Sequence, residues 1–240
     1  MSTNNGVSGV QMEGFAYVAE QDSGAYKANY KAHKKGISHD EMVVAYSEWA
    51  NNYDEDLCPG RYNGPQIAAD ALADYYIPDV RQNVRIIDVA AGTGRVGHEL
   101  YNKGFRLLDA LEPSGGMLNV LNGRGIYQDT FEVPIGFDEI DSIPSNTYDS
   151  LVIAGGMGEG HIPVGAVNEM IRIVKPGGTV FIVMREEYLS YVEEYVGKLE
   201  PYMDNLEANG HWKKLRRVIV PEYSFNKNGV VYSYQVLTEN

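Results

Sequence analysis

Cysteine is nearly missing from this 240-residue chain, with Cys58 the only one. That excludes an intrachain disulfide framework and any multi-cysteine metal site. No HxH, HxxxH or CxxC spacing occurs, so no protein-bound metal is expected. Basic charge is also scarce. Lys and Arg number 20 against 33 Asp and Glu, a formal net charge of −13. This argues against attraction to nucleic acid or an anionic membrane through bulk electrostatics. The short basic run Lys213, Lys214, Arg216 and Arg217 reads as an exposed strand face. No apolar run approaches the length of a membrane span, and the opening MSTNNGVSGVQMEG is too polar for a signal peptide. The expectation is a soluble cytoplasmic protein, monomer or weak homodimer, with neither nucleic acid nor membrane as partner.

What is present fits an ordinary globular protein: 44% hydrophobic and 22% charged residues. The length suits one α/β domain of about 200 residues plus a terminal arm. Residues 1–37 read as that arm, flexible through the Gly-, Ser-, Asn- and Gln-rich stretch to about residue 24. The domain is expected over 38–240. Ser38 and Glu41 have capping-box spacing before MVVAYSEWANNY, which predicts a helix start. A second helix begins near Pro65, with Ile67, Ala68, Ala71, Leu72 and Tyr75 on one face, and stops by Pro78.

The pattern then alternates. Strands are predicted at RIIDVA (85–90), RLLDALE (106–112), GIYQD (125–129), YDSLVIAG (148–155) and TVFIVM (179–184). Helical patterns separate most of them: Val96, Leu100 and Tyr101; then GGMLNVL, capped by Ser114; then Val164, Val167, Ile171 and Val174. Such alternation implies a doubly wound, mostly parallel sheet with helices on both faces. Tyr188, Val192, Tyr195, Leu199, Tyr202 and Leu206 follow helical spacing, with Gly197 and Pro201 expected to break or kink the segment. LRRVIVPEY and VVYSYQVL flank Asn228-Gly229, a type I′ hairpin signal, so an antiparallel pair completes a seven-stranded sheet.

The chemistry centres on Asp88-Val-Ala-Ala-Gly92-Thr93-Gly94-Arg-Val-Gly97. A GxGxxG turn after a strand serves a dinucleotide or another nucleoside cofactor. A pyrophosphate would sit on the helix N-terminus, where amides and dipole favour anions. Asp88, four residues before Gly92, would repel it but would attract the ammonium of S-adenosylmethionine. Glu112, at the tip of the second strand, can accept both hydroxyls of a ribose. The S-adenosylmethionine reading is therefore preferred over a nicotinamide-dependent oxidoreductase. A plainer alternative is that Asp88 and Glu112 only cap neighbouring helices.

RIIDVAAGTGRVG, LLDALEPSGGML, YDSLVIAGGM and IRIVKPGGTVFIVMR resemble the successive motifs of class I S-adenosylmethionine-dependent methyltransferases. More narrowly, WANNYDEDL followed by RYNGPQIAADAL resembles the methyltransferase-like proteins of the Williams–Beuren syndrome chromosome region, over about Tyr46 to Leu237. The resemblance implies a Rossmann-like class I fold and transfer of a methyl group to a small-molecule acceptor, with S-adenosyl-L-homocysteine as product. It further implies that Gly92 and Gly94 line the methionine portion, with Thr93 between them, and that Asp88 lies near its amino group. Glu112 would hold the ribose and Pro113-Ser114 would border it. Asp129 would face the adenine amino group, and Ala154 and Gly155 would pass beneath the sulfonium. Trp49 and Tyr53 would come from an N-terminal helical lid over 38–82, and 186–210 would cover the acceptor. Ala90 stands where the family pattern has its first glycine, and its methyl is expected to narrow the pocket floor.

Other residues have competing readings. Trp49 serves equally as a core anchor, and Tyr53 as simple packing. His161, in GGMGEGHIP, is a candidate general base beside a loop histidine of no special role; Glu159 is a second candidate. The tyrosines at 188, 191, 195 and 202 fit either an aromatic acceptor pocket or a core-packed helix. No catalytic residue is required, because alignment and water exclusion supply most of the acceleration. A binding module without catalysis remains an alternative function.

Overall fold

A computed structural model describes residues 23–136 and 138–237. The flexible arm expected to about residue 24 lies almost wholly outside the described residues. Within the predicted arm, Ser23–Ala32 forms a helix, α1, packed on the helix that follows. That helix, α2 (His39–Asp56), starts at the predicted capping box: the Ser38 hydroxyl accepts from the Glu41 amide, and Glu41 reaches back to the Ser38 amide. Helix α3 spans Gly64–Tyr75, with Pro65 in its first turn, where the missing N–H costs nothing.

The alternating segments form β1 (Arg85–Val89), α4 (Arg95–Asn102), β2 (Leu107–Leu111), α5 (Gly115–Asn122), β3 (Thr130–Phe131), β4 (Tyr148–Ala154), α6 (Ala166–Ile173) and β5 (Val174–Arg185). After them come α7 (Tyr188–Tyr191), α8 (Leu199–Ala208), β6 (Trp212–Ser224) and β7 (Lys227–Val236). The seven strands make one sheet in the order β3-β2-β1-β4-β5-β7-β6. Only β7 runs antiparallel, against both β5 and β6. Strands β1, β2 and β4 are buried along nearly their whole length, which explains their unbroken apolar runs. Alternate residues feed two cores. Ile87, Leu151 and Ile182 pack with α6 and α8, while Ile86, Val152 and Phe181 pack with α3 and α4. Among the described residues no helix is long and apolar enough to cross a membrane.

Four local expectations differ from the structure. The third strand is two residues, Thr130–Phe131, and not 125–129, because Tyr127 turns its ring beneath the glycine turn. The hairpin turn is Phe225-Asn226, both at positive φ, and not Asn228-Gly229. Phe225 is held by an edge-on contact with Tyr26. Gly229 sits inside β7 because a Cβ there would lie 2.8 Å from the Tyr223 side chain. Finally, the 188–206 segment breaks between α7 and α8, whereas Pro201 lies in the first turn of α8, where proline is tolerated.

Candidate functional site

A cavity of about 590 Å³ opens over the C-terminal ends of β1, β2 and β4, within the size range of small-molecule sites. Of the residues predicted from sequence, Tyr53, Ala90, Gly92, Glu112, Pro113, Ala154, Gly155 and His161 line it. Asp88, Thr93, Gly94, Asp129 and Trp49 do not. Each of these five is occupied elsewhere.

Asp88 is buried behind the turn. Its Oδ2 accepts from the Tyr127 hydroxyl at 2.6 Å, and its buried Oδ1 has no hydrogen-bond partner. Burial pushes its carboxyl up to about 7, against the Tyr127 hydroxyl and the Gly97 amide. Gly94 and Gly97 face the same tyrosine: a Cβ on Gly97 would lie 2.1 Å from the Tyr127 hydroxyl, and one on Gly94 2.9 Å from its ring. The last two glycines of GxGxxG therefore admit a side chain. Gly92 differs, since a Cβ there would meet nothing within 4 Å. Thr93 donates to Asp54 Oδ1 on α2 at 2.6 Å, and Arg124 pairs with the other Asp54 oxygen at 2.5 Å. Asp129 projects to solvent beside Arg85, 3.5 Å away. Trp49 donates to Asp56 at 2.7 Å and braces Tyr46 and Tyr53, its ring 4.8 Å from that of Tyr53.

Glu112 is the one charged side chain with a carboxylate in the cavity wall. Oε2 accepts from the Gly92 amide at 2.8 Å and Oε1 from the Ser114 amide at 2.9 Å. Burial raises its carboxyl to about 7 despite these two donors. Each carboxylate oxygen offers two acceptor positions, so one remains on each. Ala90 adopts φ 54°, and a Cβ on Gly156 would come within 2.7 Å of its methyl. The left-handed backbone usually supplied by glycine is thus kept by an alanine, with Gly156 giving the room.

His161 was predicted at the sheet edge; its partner Tyr46 was not. The His161 Nδ1 lies 2.7 Å from the Glu159 carbonyl, which can only accept, so Nδ1 carries the proton. Nε2 then accepts from the Tyr46 hydroxyl at 3.0 Å. Burial lowers His161 to about 4, with His39 adding to the shift and the Glu159 carbonyl opposing it. His33 stacks on His161 at 4.7 Å and is itself held well below its usual value, first by burial. Met42, Tyr46, Trp49 and Tyr53 are spaced four, three and four along α2, a periodic stripe that could have identified Tyr46. Met117, Pro134, Ile135, Gly156 and Ile162 also line the cavity and carry no sequence signal that separates them from core.

A second cavity of about 370 Å³ adjoins the first and shares Tyr46, Tyr53 and Gly155 with it. Among the described residues no group of three or more His, Cys, Asp or Glu side chains is placed to hold a metal ion.

No protein-family model matches the chain. Its fold is similar to that of a SAM-dependent methyltransferase from Leishmania major, with a TM-score of 0.60, 16% identity, and coverage of 86% of this chain and 89% of that one. Sheet order and likeness define the class, that of the class I S-adenosylmethionine-dependent methyltransferases. In sequence the chain is 34% identical to methyltransferase-like protein 27 of Homo sapiens over 172 residues, 71% of this chain and 67% of that protein. A demethylmenaquinone methyltransferase of Renibacterium salmoninarum is 32% identical over 103 residues, 41% of this chain and 40% of the relative. The chain belongs to the family of methyltransferase-like protein 27.

Proposed function

We propose that the chain transfers a methyl group from S-adenosylmethionine to a small-molecule acceptor, with the cofactor in the first cavity and the acceptor in the second. The observation that carries this reading is Glu112: a buried carboxylate fixed by two amides, with one acceptor position left on each oxygen for a vicinal diol. Gly92, Pro113, Ala154 and Gly155 would border the same group, and Ala90 its floor. Tyr53 and Tyr46 close the cavity from α2. Asp88, behind the turn, contributes buried negative potential toward a cationic ligand and no direct contact. The Renibacterium relative's name, which specifies a small acceptor, supports the choice of a small molecule.

When bound, S-adenosylmethionine supplies an electrophilic methyl carbon on a cationic sulfur that leaves as a neutral thioether. The chain's residues align the acceptor and exclude water, with tyrosine rings on both sides of the shared wall. For an acceptor that carries a proton, Tyr46 accepts it while passing its own to His161 Nε2. Burial makes His161 a weak base, so it serves after the acceptor atom has been alkylated and has become strongly acidic. The reading is tested by incubating the chain with S-adenosylmethionine and a panel of small acceptors and measuring S-adenosylhomocysteine. Turnover with a small acceptor is the expected result. Binding of S-adenosylhomocysteine without turnover on any of them would leave a binding module in place of an enzyme.

A further inference from the structure

The second cavity supports a narrower statement, which rests on the methyl-transfer reading above. We infer that it selects a small monocarboxylate with a flat apolar body, its carboxylate toward Arg185 and its methyl-accepting atom toward the wall shared with the first cavity. At that wall stand Tyr46, Tyr53 and Gly155, the residues common to both cavities. An acceptor atom there is next to the cofactor space, and the rest of the molecule extends away from it.

The far side is defined by charge. Arg185, only 2% exposed, is the sole Lys or Arg among the lining residues, and no Asp or Glu lines the cavity. Its Nη1 donates to Glu187 Oε1 at 3.0 Å and its Nη2 to Ser224 Oγ at 3.0 Å. Glu187 is shared, since Lys227 Nζ lies 3.0 Å from Oε2. Two cations around one carboxylate leave one net positive charge, in a chain whose total is −13. His33, also in the wall, adds none, because burial keeps it neutral. A single residual charge matches a monoanion better than a phosphate monoester, which carries close to two at neutral pH. Between the two ends, Tyr62, Tyr188, Tyr223, Leu57 and Met157 offer rings and apolar surface to a planar body. The volume suits a molecule of one or two rings.

The test is calorimetry on the full chain saturated with S-adenosylhomocysteine. The probes are benzoate, 4-hydroxybenzoate, phenylacetate and indole-3-acetate, each paired with its own amide, and phenyl phosphate. At least one acid should bind ten times more tightly than its amide, and more tightly than phenyl phosphate. Arg185→Gln should erase the acid preference while keeping affinity for S-adenosylhomocysteine. Lys227→Gln, outside the cavity wall, should reduce it several-fold, which covers the case in which the buried substitution fails to fold. If every acid binds no better than its amide, or phenyl phosphate binds best, the inference is overturned. If S-adenosylhomocysteine itself fails to bind, the cofactor reading fails instead.

Discussion

The Tyr127 hydroxyl donates to Asp88 Oδ2 at 2.6 Å while accepting from the Gly97 amide at 3.1 Å. One phenol therefore joins the end of β1 to the first turn of α4 and fills the space that two glycines leave. The turn that reads in sequence as a ligand cradle is half a packing device: Gly92 faces open space, and Gly94 and Gly97 face Tyr127.

That division is testable through stability. Gly97→Ala should destabilise the fold by about 1–3 kcal/mol, the usual cost of overpacking. In a Tyr127→Leu background, which removes the atoms the new methyl would strike, the same change should cost less than about 0.5 kcal/mol. Urea unfolding of the four proteins measures both costs. Equal costs in the two backgrounds would show that the glycine serves something other than the tyrosine.

The two buried carboxyls set a pH dependence. Burial raises Asp88 and Glu112 to about 7, above their values in the unfolded chain. Between about pH 4 and 7 the native state then holds more protons than the unfolded one, so this contribution is full below pH 4 and is lost as pH rises through 7. The stability difference between the wild-type chain and Glu112→Gln should shift in that window, with the wild type losing ground as pH rises. If ligand hydroxyls bind the Glu112 carboxylate, its carboxyl titrates lower in the complex. Binding near pH 6.5 should therefore release protons, seen as heats that depend on buffer ionisation enthalpy. A pH-independent difference and no proton release would contradict the assignment.

Much of the fold is legible in the residues. The Ser38–Glu41 box, the Ser114 cap, the apolar strands and the placement of Glu112 depend on neighbours in sequence, and the structure contains each of them. What was not legible depends on distant partners. The hairpin turns at Phe225-Asn226 because Tyr26 receives Phe225, and β3 is short because Tyr127 is drawn under the turn. Tyr46 escaped notice because its partner, His161, lies 115 residues away. Trp49 and Asp129 carry residue types suited to a ligand, but the structure directs one to Asp56 and the other to Arg85.

The Tyr46–His161 pair predicts a kinetic signature. His161→Ala and Tyr46→Phe should each lower kcat on a protonated acceptor by roughly ten- to a thousandfold, below the full worth of a general base because His161 is weak. The double variant should be little worse than either single one, since both act on one proton. With His161 held near 4, wild-type kcat should be flat above about pH 5 and fall as pH drops through 4. Wild-type turnover in His161→Ala would exclude the relay.

The account turns on Glu112, and titration calorimetry with S-adenosylhomocysteine tests it most directly. The wild-type chain should bind one molecule per chain. Glu112→Ala, which loses two charge-assisted hydrogen bonds, should bind more weakly by about 2–4 kcal/mol. Because that variant also releases the Gly92 and Ser114 amides, its folding is checked by circular dichroism before the titration. An unchanged dissociation constant in folded Glu112→Ala, or no binding to the folded wild-type chain, would contradict the account.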